Sequence, residues 1–174
     1  MKVLLATDAD WLVRDVVAAL GGPDTSFSVV SEGRDVAEVV EAKTAAGDAI
    51  DIALFDLQIG SMGGMAVTLS LRLDESSGRV PHVPIVMLLD RVADVFLARR
   101  SGADGWLVKP LDPLRLRRAV RAVLRGDTYH EGLVDGHRGL QPSTVTAAQV
   151  DAEIEGDVAP SEDEPADVVP APSR

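Results

Sequence analysis

Asp8, Asp56 and Lys109 each close a short apolar run, in VLLATD, IALFD and GWLVK. A pair of carboxylates suits a hard divalent cation such as Mg²⁺, which takes oxygen ligands and keeps several of its waters. A metal ion and an ammonium group could neutralise the oxygens of a phosphoryl group while the Asp56 carboxylate attacks its phosphorus. Phosphoryl transfer asks mainly for in-line positioning and charge stabilisation, so three side chains are sufficient. Each residue also has a plainer reading. Aspartate is common at helix starts, and a lysine before a proline is ordinarily a solvated surface residue. Three such groups at three strand ends favour a site.

The elements that must position them are legible as an alternation. Val3–Thr7, Ser26–Val30, Ile52–Phe55, Ile85–Leu89 and Gly105–Val108 read as short strands, apolar or β-branched as buried strands are. Helix patterns over Trp11–Leu20, Arg34–Ala46, Met65–Leu73, Arg91–Arg100 and Pro113–Arg125 lie between and after them. Five βα units predict an α/β, doubly wound, three-layer fold with a parallel five-stranded sheet in the order 2-1-3-4-5. In such a sheet the working crevice lies outside the carboxyl ends of the strands, where the order reverses. The ends of strands one, three and five bring Asp8, Asp56 and Lys109 to that edge.

The segment DIALFDLQIGSMGGMAV, with Gly64 eight residues after Asp56, together with GADGWLVKPLDPLRLRRAV, resembles the response regulator receiver domains of two-component signalling. The resemblance covers roughly residues 2 to 125, and its force lies in several weak motifs standing in order at plausible spacings. It implies that Asp56 is the phosphoacceptor, that Lys109 contacts the phosphoryl group, and that Asp8, Asp56 and the backbone carbonyl of Gln58 bind Mg²⁺. It also implies a cis bond at Lys109–Pro110. The implied partners are a histidine kinase or a phosphotransfer protein, and a protein target or a second copy meeting helix four, strand five and helix five. No enzymatic activity is implied beyond the domain's own phosphorylation and dephosphorylation.

Two positions depart from the family pattern. Thr7 stands where receivers usually carry a second acid, which predicts weak Mg²⁺ binding. Leu89 stands where a threonine or serine hydroxyl usually bonds the phosphoryl group, so the relay from that position to the aromatic switch, here Trp106, is expected to be weakened. Trp106 itself reads equally as a core aromatic or a partner-facing one.

Composition sets the remaining bounds. There is no cysteine, which excludes a disulfide framework, a thiolate zinc site and a thiol nucleophile. The N-terminal apolar run is too short for a signal peptide or a membrane span, so a soluble cytoplasmic protein is expected. Of 28 acidic and 17 basic residues, 11 and 2 follow residue 126, leaving 17 and 15 before it. Residues 1–126 are thus read as a nearly neutral domain, and 127–174 as an acidic, Pro- and Ala-rich disordered tail in which only Thr146–Glu155 favours a short helix. A net charge of −11 disfavours direct nucleic-acid binding. In the last helix Leu116, Val120 and Val123 form a core stripe, with Arg117, Arg118, Arg121 and Arg125 largely opposite. That basic face reads as solvated, as a protein contact or, least of all, as a nucleic-acid contact. His82, His130 and His137 read as solvated.

These features lead to a stand-alone receiver phosphorylated on Asp56 that signals through protein contacts. The alternative is a pseudo-receiver, a binding module independent of phosphorylation, which Thr7 and Leu89 would permit. A flavodoxin-like small-molecule protein would share the topology, since fold does not fix function.

Overall fold

A strand buried on both faces needs no polar alternation, and the runs around Leu4, Leu54 and Met87 have none. The computed structural model describes residues 1–131 and places these runs at the centre of a parallel sheet. They form β1 (Lys2–Ala6), β3 (Ile52–Asp56) and β4 (Ile85–Leu89), flanked by β2 (Ser26–Val30) and β5 (Gly105–Val108). The helices are α1 (Asp10–Leu20), α2 (Val36–Ala45), α3 (Gly64–Ser76), α4 (Val95–Ser101) and α5 (Pro113–Leu124). The expected order β2-β1-β3-β4-β5 is present, with the reversal between β1 and β3.

The sheet has one strand more than expected. β6 (Tyr129–His130) pairs in parallel with β5, Gly105 opposite Tyr129 and Trp106 opposite His130. The expected five-stranded sheet is therefore corrected to six strands; two residues are too few to carry a period, so the sequence pattern gave no sign of the sixth. The described fold continues to Glu131, beyond residue 126 where the tail was expected to begin. The rest of that expected tail, His137 and the helix-prone Thr146–Glu155 included, lies outside the described residues.

Side-chain alternation along each central strand sorts the core into two layers. Leu4, Ala6, Phe55, Met87 and Leu89 join Val36, Val40, Val67, Leu71 and Ala98 on the α2–α3–α4 face. Val3, Leu5, Leu54, Val86 and Leu88 join Leu12, Val16, Leu116 and Val120 on the α1–α5 face. Two expected helices begin with a separate 3₁₀ turn. Gly33–Asp35 precedes α2, and Val92–Asp94 precedes α4, where the Asp94 carboxylate accepts from the Arg91 backbone N–H at 3.0 Å and so satisfies a donor at the helix entry. α5 starts cleanly: Asp112 accepts from the backbone N–H groups of Leu114 and Arg115, both at 2.9 Å, and Pro113 follows as the first helical residue. On the basic side of α5, the Arg117 guanidinium donates to the Ala19 carbonyl at 2.6 Å, tying α5 to the end of α1. That arginine has a structural use.

Candidate functional site

Asp56 is the last residue of β3 and is 2% exposed. A carboxylate so deeply buried must be paired and hydrogen-bonded, and both of its oxygens are. Oδ1 accepts from the Lys109 ammonium at 2.6 Å and from the Gln58 backbone N–H at 3.3 Å. Oδ2 accepts from the Thr7 hydroxyl at 2.9 Å, while the Ala9 backbone N–H donates to that same hydroxyl oxygen at 3.1 Å. The Ala9 bond fixes Thr7 as a donor toward Asp56. An acid at position 7 would instead have faced Asp56 as a like charge, so the departure noted in the sequence has a definite consequence: a neutral hydroxyl clamps the carboxylate.

Lys109 reaches the site from the end of β5, across a Lys109–Pro110 bond that is cis, as the resemblance implied. Its ammonium also donates to Asp90 Oδ1 at 3.0 Å and lies 5.8 Å from the ring centroid of Trp11, within cation–π range. Asp90 follows β4 directly, and the rule that singles out Asp8, Asp56 and Lys109 applies to its side chain equally. Asp8 is exposed and, among the described residues, does not join the bonds around Asp56. Gln58 is brought beside Asp56 through its backbone. Two carboxylates and a carbonyl are oxygen donors of the class Mg²⁺ takes, so the set fits that ion, with fewer charges than a triple-carboxylate site would offer. No group of three or more acidic, histidine or cysteine side chains suited to a metal is found among the described residues.

Gly64 opens α3 directly against the end of β3. A Cβ there would stand 2.3 Å from the Asp56 carbonyl oxygen, so the glycine is a steric requirement of the β3–α3 junction.

Leu89 is fully buried and lies in the same apolar cluster as Trp106, which is 1% exposed. Of the two readings of Trp106, the core one is what the structure has. Its indole N–H donates to the Glu131 carbonyl at 2.7 Å, and its ring stacks on His130 with centroids 3.9 Å apart and an interplanar angle of 11°. The Glu131 carboxylate in turn accepts from the Val108 backbone N–H at 2.7 Å and from the Arg115 guanidinium. Residues 129–131 thus form a strap over the β5 edge, for which the sequence carried no signal. His82 is exposed, as expected, and bonds Glu75 at 2.6 Å.

His130, also expected to be merely solvated, is exposed on one side only. Partial burial, helped by the nearby Arg99 charge, lowers its pKa. The folded state therefore favours the neutral imidazole, and the unfolded state takes the proton first as pH falls. The strap's stabilisation is expected to be complete above about pH 6.5 and to decline below it toward the lowered folded value. Amide exchange at Glu131, corrected for intrinsic rates, should be faster at pH 5.5 than at 7.5, and His130→Phe should remove the difference.

Comparison with known proteins bears on the family and the fold. The family model described as "Response regulator receiver domain" matches residues 3–121. The nitrate/nitrite response regulator protein NarP of Escherichia coli K12 is 32% identical over 123 residues, covering 71% of this chain and 55% of NarP. The DNA-binding response regulator MtrA of Mycobacterium tuberculosis H37Rv is 32% identical over 126 residues, covering 71% of this chain and 50% of MtrA. This chain therefore spans about half the length of these relatives. Among solved structures, the BeF3-activated N-terminal receiver domain of Klebsiella pneumoniae RstA is similar at TM-score 0.60 and 25% identity, covering 72% of this chain and 99% of that one. The receiver domain of the sensor histidine kinase PA1611 from Pseudomonas aeruginosa, described with a magnesium ion coordinated in its active-site cleft, gives TM-score 0.60 at 21% identity, covering 71% and 97%, a likeness of fold. Motif order, sheet topology and the match over residues 3–121 agree, and this chain belongs to the response regulator receiver domains of two-component signalling.

Proposed function

We propose that this receiver accepts a phosphoryl group on Asp56 from a histidine kinase or phosphotransfer protein and signals through protein contacts in the cytoplasm. The observation that carries the reading is the Lys109 ammonium 2.6 Å from Oδ1 of the buried Asp56. A carboxylate oxygen of Asp56 attacks the phosphorus of the partner's phosphohistidine, the P–N bond breaks with its electrons leaving to the imidazole, and an acyl phosphate forms. Lys109 offsets the negative charge of the transferred oxygens, and the Gln58 N–H orients the acceptor carboxylate. Asp8, Asp56 and the Gln58 carbonyl would hold Mg²⁺, which supplies further positive charge to the phosphoryl oxygens. With a threonine in place of one acid, its affinity is expected to be low.

The domain is a signalling module, and catalysis is confined in this proposal to its own phosphorylation and dephosphorylation. Among the described residues no helix is long and apolar enough to cross a membrane. DNA binding is named for MtrA, a protein about twice the matched length. For this chain the surface of α4, β5 and α5 is proposed to meet a protein target or a second copy. A pseudo-receiver that binds without phosphorylation is the second reading, favoured by the Thr7 clamp and by the apolar packing of Leu89.

Acetyl phosphate with Mg²⁺ should add a single phosphoryl group by intact mass, none in Asp56→Asn, and much less with EDTA. Wild-type protein left unmodified, under conditions that label another receiver, transfers the case to the pseudo-receiver. Labelling that survives in Asp56→Asn would mean that a different residue is the acceptor.

A further inference from the structure

One ammonium group serves two carboxylates in this site. Lys109 donates to Asp56 Oδ1 at 2.6 Å and to Asp90 Oδ1 at 3.0 Å. The lysine side chain is 11% exposed, that of Asp56 3%, and that of Asp90 33%, so Asp90 is the partner with a way out to solvent. Its second oxygen, Oδ2, is buried and has no hydrogen-bond partner among the described residues. Asp90 therefore depends for its place on a single bond to a shared donor. It also begins the connection from Leu89 at the end of β4 to the 3₁₀ turn Val92–Asp94 and α4.

We propose that Asp90 is a positioning residue that holds Lys109 on Asp56 before transfer and is expelled by like charge after it. A phosphoryl group on Asp56 brings more negative charge and several strong acceptor oxygens to the one lysine. Asp90 then faces an anion, loses its share of the ammonium, and already lacks a donor at Oδ2. A largely buried carboxylate in that position is strongly disfavoured, and exposure is the available relief. Because Asp90 is continuous with the turn before α4, its departure moves that segment. The signal leaves the site by repulsion, and no hydroxyl at position 89 is needed. This inference rests on Asp56 being the phosphoacceptor and deepens it.

The test is hydrogen exchange over residues 90–95, followed by mass spectrometry before and after acetyl phosphate, in wild type, Asp90→Asn and Asp90→Glu. Phosphorylated wild type should exchange there at least several-fold faster than unphosphorylated protein, Asp90→Glu should keep the response, and Asp90→Asn should lose it. Asp90→Asn should also hold its phosphoryl group or acquire it on the order of 10-fold more favourably, since a like charge has gone from a poorly screened site. A purely structural role for Asp90 would change exchange in both phosphorylation states alike. If wild type is labelled but its 90–95 exchange does not respond, or responds equally in Asp90→Asn, the Asp90 mechanism is overturned and the phosphoacceptor reading stands. If wild type takes no phosphoryl group, both fall together.

Discussion

Replacing Gly64 with alanine is expected to destabilise the domain by about 3 kcal/mol, at the upper end of the usual cost of overpacking, and to slow phosphorylation of Asp56 as well. The added Cβ would lie 2.3 Å from the Asp56 carbonyl oxygen, 3.0 Å from its carbon and 3.3 Å from the Leu57 Cα. All three are backbone atoms, so no rotamer change relieves the contact. Either α3 moves away from the sheet, breaking the 3.0 Å bond from Gly64 N–H to the Leu57 carbonyl, or the end of β3 moves and carries Asp56 with it. Gly47 makes the control. It has φ of 72° with open space around it, so alanine there costs only the left-handed backbone penalty, about 1–2 kcal/mol. Urea midpoints and acetyl phosphate labelling rates of the two variants should diverge, with only Gly64→Ala affecting both. A Gly64→Ala protein as stable and as reactive as wild type would show that the β3–α3 junction yields easily.

Ending the chain after Gly126 is expected to cost about 3 kcal/mol and to lower the melting temperature by roughly 10 °C. That cut removes the acceptor of the Trp106 indole, the stacking partner of its ring, and the carboxylate that Val108 and Arg115 share. Each lost bond contributes about 1 kcal/mol, and the newly exposed indole adds to the loss. Ending the chain after Leu140 keeps the whole strap and removes 34 residues, of which eight are acidic and one is basic. Exposed charge pairs are worth about 0–1 kcal/mol and are screened within about 8 Å at physiological salt, so the melting temperature should barely change. If the cut after Gly126 is as harmless as the cut after Leu140, the strap contributes nothing to stability.

The parts of this molecule that sequence reading reached are those written in local patterns. Runs such as Ile85–Leu89 have no polar alternation because both faces are covered, and that alone places them in a central parallel strand. Asp56 and Lys109 were accessible because topology sends strand ends to one edge. Asp90 sits at the same kind of edge, but residue type gives no sign that its carboxylate shares the Lys109 ammonium with Asp56. The strap was out of reach for a different reason. Glu131 acts through its carbonyl as well as its carboxylate, and a backbone acceptor leaves no mark on residue type. The Thr7 clamp was half legible: the missing acid was visible, but not that a hydroxyl held by the Ala9 N–H would take up the Asp56 oxygen in its place.

The chain contains two tryptophans, and the fold has put them in opposite surroundings. Trp11 is 46% exposed beneath the Lys109 ammonium, while Trp106 is 1% exposed and lies against the His130 ring. Their emission therefore separates without any label. Trp11 should emit at long wavelength, be open to acrylamide quenching, and respond to a change of charge at Asp56. Trp106 should emit toward the blue, resist acrylamide, and dim as His130 becomes an imidazolium, a good quencher at contact distance. One spectrum then reports two surroundings at once, that of the Lys109 ammonium in its red edge and the closure of the β5 rim in its blue.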